Sequence, residues 1–222
     1  MSRKILVVAP HPDDETLGCG GTLLKHKAQG DTIHWLIVTK MTDKLGYSNQ
    51  QITNREKEIK QVADAYDFDS INQLSWPPAG LDNIPTGELV GSISTIMQNI
   101  KPNIIYLPYK YDVHSDHKYC FDASVSASKS FRAPFIQSIR VYETLSETDF
   151  NLDPNHVFTP NLWIDITGYL EKKIEITNHY QSEFGLFPFP RSEETLTALA
   201  QLRGAQINSH AAESFMLLKE IQ

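Results

Sequence analysis

The pattern of apolar positions along the chain predicts strands and helices in alternation. Continuous apolar runs predict buried strands at residues 4–9, 32–39, 71–76 and 104–107. Between them, helical patterns run from after residue 15 to about 30, from 53 to about 66 and from 86 to 100. A capping-box pattern at residues 53–56 opens the second helix. This order predicts an α/β fold, a mostly parallel sheet flanked by helices, with right-handed crossovers.

The remainder of the chain is predicted to extend this sheet. Strands are expected near residues 136–142 and 162–166, and helices near 117–129, 168–183, 193–203 and 211–221. No internal repeat, low-complexity segment or linker interrupts the sequence. Residues 1–222 are therefore predicted to form a single domain.

Composition narrows the functional classes. The 222 residues are 41% apolar and 21% charged, an ordinary globular mixture, and the net charge is -7. This charge disfavours nucleic acid as a partner, because phosphate contacts need clustered Lys and Arg. Two cysteines, Cys19 and Cys120, are too few for a disulfide framework and are expected to be reduced and partly buried. Because neither a signal peptide nor an apolar run of about 20 residues is found, the protein is expected to be soluble and cytoplasmic, without a membrane span.

Two clusters of metal-ligating residue types follow the first and fourth predicted strands. The first is His11-Pro12-Asp13-Asp14-Glu15, and the second is His114-Ser115-Asp116-His117. If the strand order is 3-2-1-4-5, these two strands are neighbours and the two loops face one crevice at the carboxyl ends of the strands. Imidazole and carboxylate ligands suit zinc and other first-row divalent ions. His11, Asp14 and one histidine of the second loop supply the three protein ligands of a catalytic zinc site.

Each cluster alone has a simpler interpretation. The first loop resembles an ordinary helix start, with Asp14 or Thr16 as N-cap, and histidines such as those of the second loop are common on surfaces. Their placement after neighbouring strands favours the metal site. Residues 18–21, GCGG, do not form the dinucleotide motif G-x-G-x-x-G and lie inside the predicted helix, which disfavours nucleotide binding there.

The two motifs together resemble those of the zinc-dependent deacetylases of the PIG-L/LmbE family. The first reads Ala9-Pro-His-Pro-Asp-Asp-Glu15, with Pro10 where the family usually has Ala directly before His, and the second reads His114-Ser-Asp-His117. Further similarities lie at residues 55–56, 163–167, 203–206 and 212–215. The resemblance implies a Rossmann-like fold, with the active site at the carboxyl ends of strands 1 and 4. It also implies removal of an N-acetyl group from an amino sugar or glycoconjugate, with release of acetate.

The resemblance also implies a role for each site residue. Zinc is the implied cofactor, and other first-row divalent ions suit the same ligands. The implied metal ligands are His11, Asp14 and His117. Asp13 is the implied general base, and His114, with Asp116 behind it, is implied to face the reacting carbonyl. Arg55 and Arg140 are implied to contact the substrate or Asp13.

Two other functions fit the same residues. A related amidase that cleaves a thiol-conjugate amide or a carbamoyl group would use the same metal centre with a different pocket. A non-catalytic sugar-binding module is disfavoured by Asp13, because a binding module does not need a spare carboxylate beside the metal. The loops at 76–80 and 109–113 are expected to select the substrate, and the sequence is also compatible with a homo-oligomer.

Overall fold

The computed structural model describes residues 2–222, in which seven strands form one sheet. The strands are β1 Lys4–Ala9, β2 Thr32–Thr39, β3 Ser70–Trp76, β4 Ile104–Pro108, β5 Ser138–Tyr142, β6 Leu162–Asp165 and β7 Ala212–Glu220. The helices are α1 Asp14–Ala28, α2 Asn49–Tyr66, α3 Thr86–Ile100, α4 Ser115–Ala127, α5 Leu170–Thr177 and α6 Glu193–Ala205. The predicted α/β class is confirmed.

The sheet order is β3-β2-β1-β4-β5-β7-β6. Strand β1 pairs in parallel with β2 on one side and with β4 on the other, as the 3-2-1-4-5 order predicts. The chain therefore leaves β1 in one direction and β4 in the other, and a crevice opens between the loops that follow these two strands.

Both faces of β1 are buried, which explains its continuous apolar sequence. Ile5 and Val7 pack with residues of α1, α2 and α5 on one face of the sheet. Leu6 and Val8 pack with residues of α3 and α4 on the other face. Because the sheet is covered on both sides, the polar side chains that can meet a ligand lie in the loops at the strand ends.

The predicted helix at residues 211–221 is wrong, because this segment forms β7. It pairs antiparallel with β5 on one side and with β6 on the other. Ala, Glu, Met, Leu and Lys are good helix formers, so local propensity favours a helix here. The hydrogen bonds to two neighbouring strands and the complete burial of Phe215 outweigh that propensity.

Two helix boundaries also differ from the prediction. Helix α2 begins at Asn49, because Ser48 and Gln51 form the capping box in place of residues 53–56. Helix α5 ends at Thr177, several residues before the predicted end.

Helix α1 lies against its neighbours through glycines. A Cβ atom at Gly18 would lie 2.2 Å from Tyr142 Cδ2 of β5, and one at Gly21 would lie 2.7 Å from Ile166 Cδ1. Both cysteines are buried and unpaired. Within residues 2–222, the helices lack the combination of length and apolar character that crossing a membrane requires.

Candidate active site

The two predicted clusters meet at the carboxyl ends of β1 and β4. His11 lies between β1 and α1, and His114 is the N-cap of α4. The ring centroid of His11 lies 4.4 Å from that of His114 and 5.7 Å from that of His117. Residues about a hundred positions apart in sequence thus form one site, because the strands that carry them are neighbours.

His11, Asp14 and His117 form a group that can hold a metal ion. One donor atom from each residue lies within 4.8 Å of the others. Asp14 Oδ2 lies 3.4 Å from His11 Nδ1, and Asp14 Oδ1 lies 3.3 Å from His117 Nε2. Two imidazoles and one carboxylate form a donor set typical of catalytic zinc sites.

Each histidine in this group contacts a second carboxylate through the ring nitrogen that does not face Asp14. His117 Nδ1 lies 2.7 Å from Asp112 Oδ2, and His11 Nε2 lies 3.0 Å from Asp116 Oδ2. Asp112 is held in turn by Thr148, whose Oγ1 donates to Asp112 Oδ1. A carboxylate behind a ligating histidine fixes the orientation of the ring, which leaves His11 Nδ1 and His117 Nε2 for the metal. The donor atoms therefore fit a divalent ion.

A second group of three metal-ligating residues, His11, His114 and Asp116, also lies within 4.8 Å. The carboxylate of Asp116 is already engaged, because it accepts hydrogen bonds from the backbone N–H groups of Ala79 and Leu81 at 2.7 and 3.1 Å. Asp116 therefore anchors the loop after β3 and supports His11. The group around Asp14 fits a metal ion better.

The expected pair of His114 with Asp116 differs from the structure. The carboxylate of Asp116 lies 4.0 Å from His114 Nδ1 and contacts His11 instead. His114 Nδ1 accepts a hydrogen bond from the backbone N–H of Asp116. The ring of His114 therefore carries its proton on Nε2 when it is neutral.

Asp13 faces the same cavity as His11 and His114. The cavity has a volume of about 230 Å³. Asp13 Oδ2 accepts a hydrogen bond of 2.7 Å from Arg191 Nη1, and Arg191 Nη2 donates to Glu147 Oε1 at 3.0 Å. Within residues 2–222, the other oxygen of Asp13 accepts no hydrogen bond from the protein. The side chain is thus held by one oxygen, and the residue lines the cavity.

The two predicted arginines lie in different places. Arg55 lines the cavity, donates from Nη1 to Pro12 O at 3.1 Å and forms an ion pair with Glu183. Arg140 is not at this site: its guanidinium donates to Tyr106 Oη and Ser138 Oγ, and it lines a separate cavity. The central position of Arg140 in β5 places it away from the strand ends.

Several polar residues of the site have no motif in the sequence. Arg191, Glu147 and Glu183 come from loops after β5. In the folded chain Arg191 contacts Asp13, and the two glutamates contact Arg191. Asp112 lies in the loop that precedes the second motif, five positions before the histidine that it supports. Its position before His114 and His117 is the signal that could have identified it.

Their mutual contacts favour the charged forms of His11, Asp14 and His117. Burial raises the pKa of Asp14, but His117 and His11 outweigh burial and hold it well below its usual range. Burial lowers the pKa of His11, but the contacts with Asp116 and Asp14 outweigh this effect and raise it to about 9. Burial has the same effect on His117, and Asp14 and Asp112 nevertheless hold its pKa well above the usual range. A bound cation would take the place of these protons.

The pKa values of two further groups of the cavity, Asp13 and His114, are shifted in opposite directions. Burial and the charge of Asp14 raise the pKa of Asp13 to about 8, against the opposing effect of Arg191. Burial and the positive charge of His11 lower the pKa of His114 to about 4. His114 is therefore neutral near pH 7.

Comparison with known proteins agrees with this geometry. Residues 6–128 match the family model described as PIG-L, GlcNAc-PI de-N-acetylase. The chain is 24% identical over 237 residues to a diacetylchitobiose deacetylase from Thermococcus kodakarensis, an alignment that covers 99% of this chain and 84% of that protein.

Similar solved structures span nearly the whole chain. The conserved protein TT1542 from Thermus thermophilus has a TM-score of 0.80 and 26% identity, covering 99% of this chain and 96% of that one. GalB, the 4-carboxy-2-hydroxymuconate hydratase from Pseudomonas putida, has a TM-score of 0.74 and 15% identity, covering 99% and 98%. The latter likeness concerns the fold alone. Because the family model matches more than half of the 222 residues, this chain belongs to the PIG-L family, as its two motifs predict.

Proposed function

We propose that this protein is a metal-dependent hydrolase that removes the N-acetyl group of an amino sugar or glycoconjugate and releases acetate, with zinc as its metal. The observation that carries the proposal is the placement of Asp13 and His114 in one cavity with His11, a member of the His11–Asp14–His117 group. Three ligands are available for the ion, and two further polar side chains are available for the reaction.

The donor set supports zinc, since imidazole and carboxylate ligands in a group of three are typical of zinc hydrolases. A bound zinc ion supplies Lewis acidity, which lowers the pKa of water and polarises a carbonyl group. His11, Asp14 and His117 would hold the ion.

Asp13 is suited to act as the general base. Its carboxylate oxygen that is free of Arg191 accepts a proton from the attacking water. Asp13 and Asp14 are adjacent in sequence, but only Asp14 contacts both histidines of the metal group. We therefore assign Asp14 to the metal and Asp13 to proton transfer.

His114 is suited to stabilise the oxyanion. Its Nδ1 accepts from the backbone, so its Nε2–H can donate to the carbonyl oxygen as negative charge develops there. A neutral histidine keeps this proton throughout. The proton that Asp13 has taken from water then passes to the leaving nitrogen, which yields the amine and acetate.

The cavity supports a neutral, hydroxyl-rich substrate. The two arginines of its wall are already paired with carboxylates, Arg55 with Glu183 and Arg191 with Glu147. Its wall therefore offers polar groups without an excess of either charge. The names of the matched family and of the Thermococcus relative add support for an N-acetylated amino sugar as the substrate.

The proposal is tested by incubating the zinc-loaded protein with a panel of N-acetylated amino sugars and detecting acetate. We expect release that a chelator abolishes. Cleavage of thiol-conjugate amides or carbamoyl compounds, with no acetate from the panel, would favour the alternative amidase. Sugar binding without turnover would favour a binding module.

A further inference from the structure

We infer that Glu15 is a positioning residue that holds Asp13 in its working orientation, an inference that rests on the proposed role of Asp13 as general base. The backbone of Asp13 has φ 142° and ψ -30°, a conformation that residues with a side chain rarely adopt. Asp13 immediately precedes α1 and faces the cavity. Such a backbone persists only where the surrounding contacts hold it.

Both ends of the peptide unit between Pro12 and Asp13 are fixed by side chains. The N–H of Asp13 donates to Glu15 Oε2 at 3.1 Å. On the opposite side, Pro12 O accepts from Arg55 Nη1 at 3.1 Å. Because the peptide is planar, these two contacts together fix the plane from which φ of Asp13 is measured.

Glu15 is itself fixed by its surroundings. It is 0% exposed, and its Oε1 accepts hydrogen bonds from the hydroxyls of Thr16 and Tyr180. Tyr180 follows α5 and is also fully buried. Glu15 does not line the cavity, so it has no direct contact with a substrate there. Its influence on the reaction has to pass through the backbone of Asp13.

The other side of Asp13 is fixed by α1. Its carbonyl oxygen accepts from the N–H groups of Thr16 and Leu17. With both sides held, Asp13 Cβ has one direction relative to Asp14. If the contact with Glu15 is lost, rotation about the N–Cα bond swings the carboxylate of Asp13 while Asp14 stays in the helix. The base then loses its alignment, whereas the metal ligands keep theirs.

The test compares Glu15→Met with Glu15→Gln. Methionine has a similar length but lacks an oxygen acceptor for the N–H of Asp13, whereas glutamine retains one. We expect Glu15→Met to lower kcat by about 10²-fold, which is the loss expected when a catalytic group is misplaced by about 1 Å. KM and zinc affinity should stay near those of the parent protein. Glu15→Gln should recover most of kcat.

Glu213 offers a matched control. It is also buried and accepts hydrogen bonds from two N–H groups of α1, those of Gly21 and Thr22, but it lies outside the cavity. Glu213→Gln should lower Tm and leave kcat unchanged. If Glu15→Met fails to fold, Tyr180→Phe provides the second variant, since it removes one hydrogen bond from Glu15 and should lower kcat less, with KM unchanged.

The amide proton of Asp13 supplies a spectroscopic measurement that needs no turnover. We expect a strongly downfield resonance in the parent protein, because the donor faces a carboxylate, and an upfield shift in Glu15→Gln. A kcat of Glu15→Met equal to that of the parent, or a loss of zinc that accompanies the loss of kcat, overturns the inference. If the parent protein releases no acetate, the proposed function fails, and the amide resonance still decides whether Glu15 holds Asp13.

Discussion

Replacement of Arg191 by methionine should shift the pH dependence of turnover. Arg191 Nη1 lies 2.7 Å from Asp13 Oδ2, and the side chain of Arg191 is 15% exposed. Two unit charges about 4 Å apart at an effective dielectric constant of about 20 interact by about 4 kcal/mol, and one pKa unit corresponds to about 1.4 kcal/mol. Glu147 and Glu183 share the charge of Arg191, so a shift of about 1–3 pH units is expected.

The direction of this pH shift follows from the role of Asp13, which has to be deprotonated in order to accept a proton. Burial and Asp14 raise its pKa to about 8, and Arg191 opposes them. Without the guanidinium the pKa rises further, so the acidic limb of the rate–pH profile moves to higher pH. At pH 7 kcat/KM should fall by about 10- to 1000-fold, and it should recover as the pH is raised.

The assay is acetate release followed from pH 5.5 to 10. Arg203 provides a matched control, because its side chain is also 15% exposed and forms a similar pair, with Glu143, away from the cavity. Arg203→Met should leave the acidic limb in place. An acidic limb of Arg191→Met that stays in place or moves to lower pH would contradict this role of Arg191, and so would a loss of rate that high pH does not restore.

Five other substitutions separate metal binding from turnover. Asp14→Asn should weaken zinc affinity, whereas Asp13→Asn should keep zinc and lose about 10²- to 10⁴-fold in kcat. Zinc titration and the acetate assay measure these effects, and the opposite result would exchange the roles of the two residues. His117→Ala should lose zinc, whereas His114→Ala should keep zinc and lose turnover; equal zinc loss in both variants would contradict the assignment. Asp112→Asn should weaken zinc binding by about 10- to 100-fold, because His117 loses the carboxylate that orients it, and an unchanged Kd would refute that role.

The parts of the site that the sequence could predict are those carried by local motifs on central strands. The apolar run of β1 and the motif after it define one side of the crevice, and the alternation of strands and helices places β4 beside it. The convergence of His11, Asp14 and His117 then follows from topology.

The remaining features depend on contacts between distant segments. Arg191 reaches Asp13 across 178 positions, and no local pattern marks it. The pairing of Asp116 with His11 depends on the loop after β3, whose N–H groups hold the carboxylate. Strand β7 has the composition of a helix and becomes a strand only because β5 and β6 are there to pair with it.

Zinc titration of the metal-stripped protein, with acetate release from an N-acetylated amino sugar as the readout, tests most directly whether the protein is a zinc-dependent deacetylase. We expect no acetate before zinc is added and a rise to a plateau at about one ion per chain. Asp14→Asn, measured in parallel, should not rise over the same range. Acetate release that is independent of zinc, or an absence of acetate from every N-acetylated sugar tested with one zinc ion bound, would contradict this function.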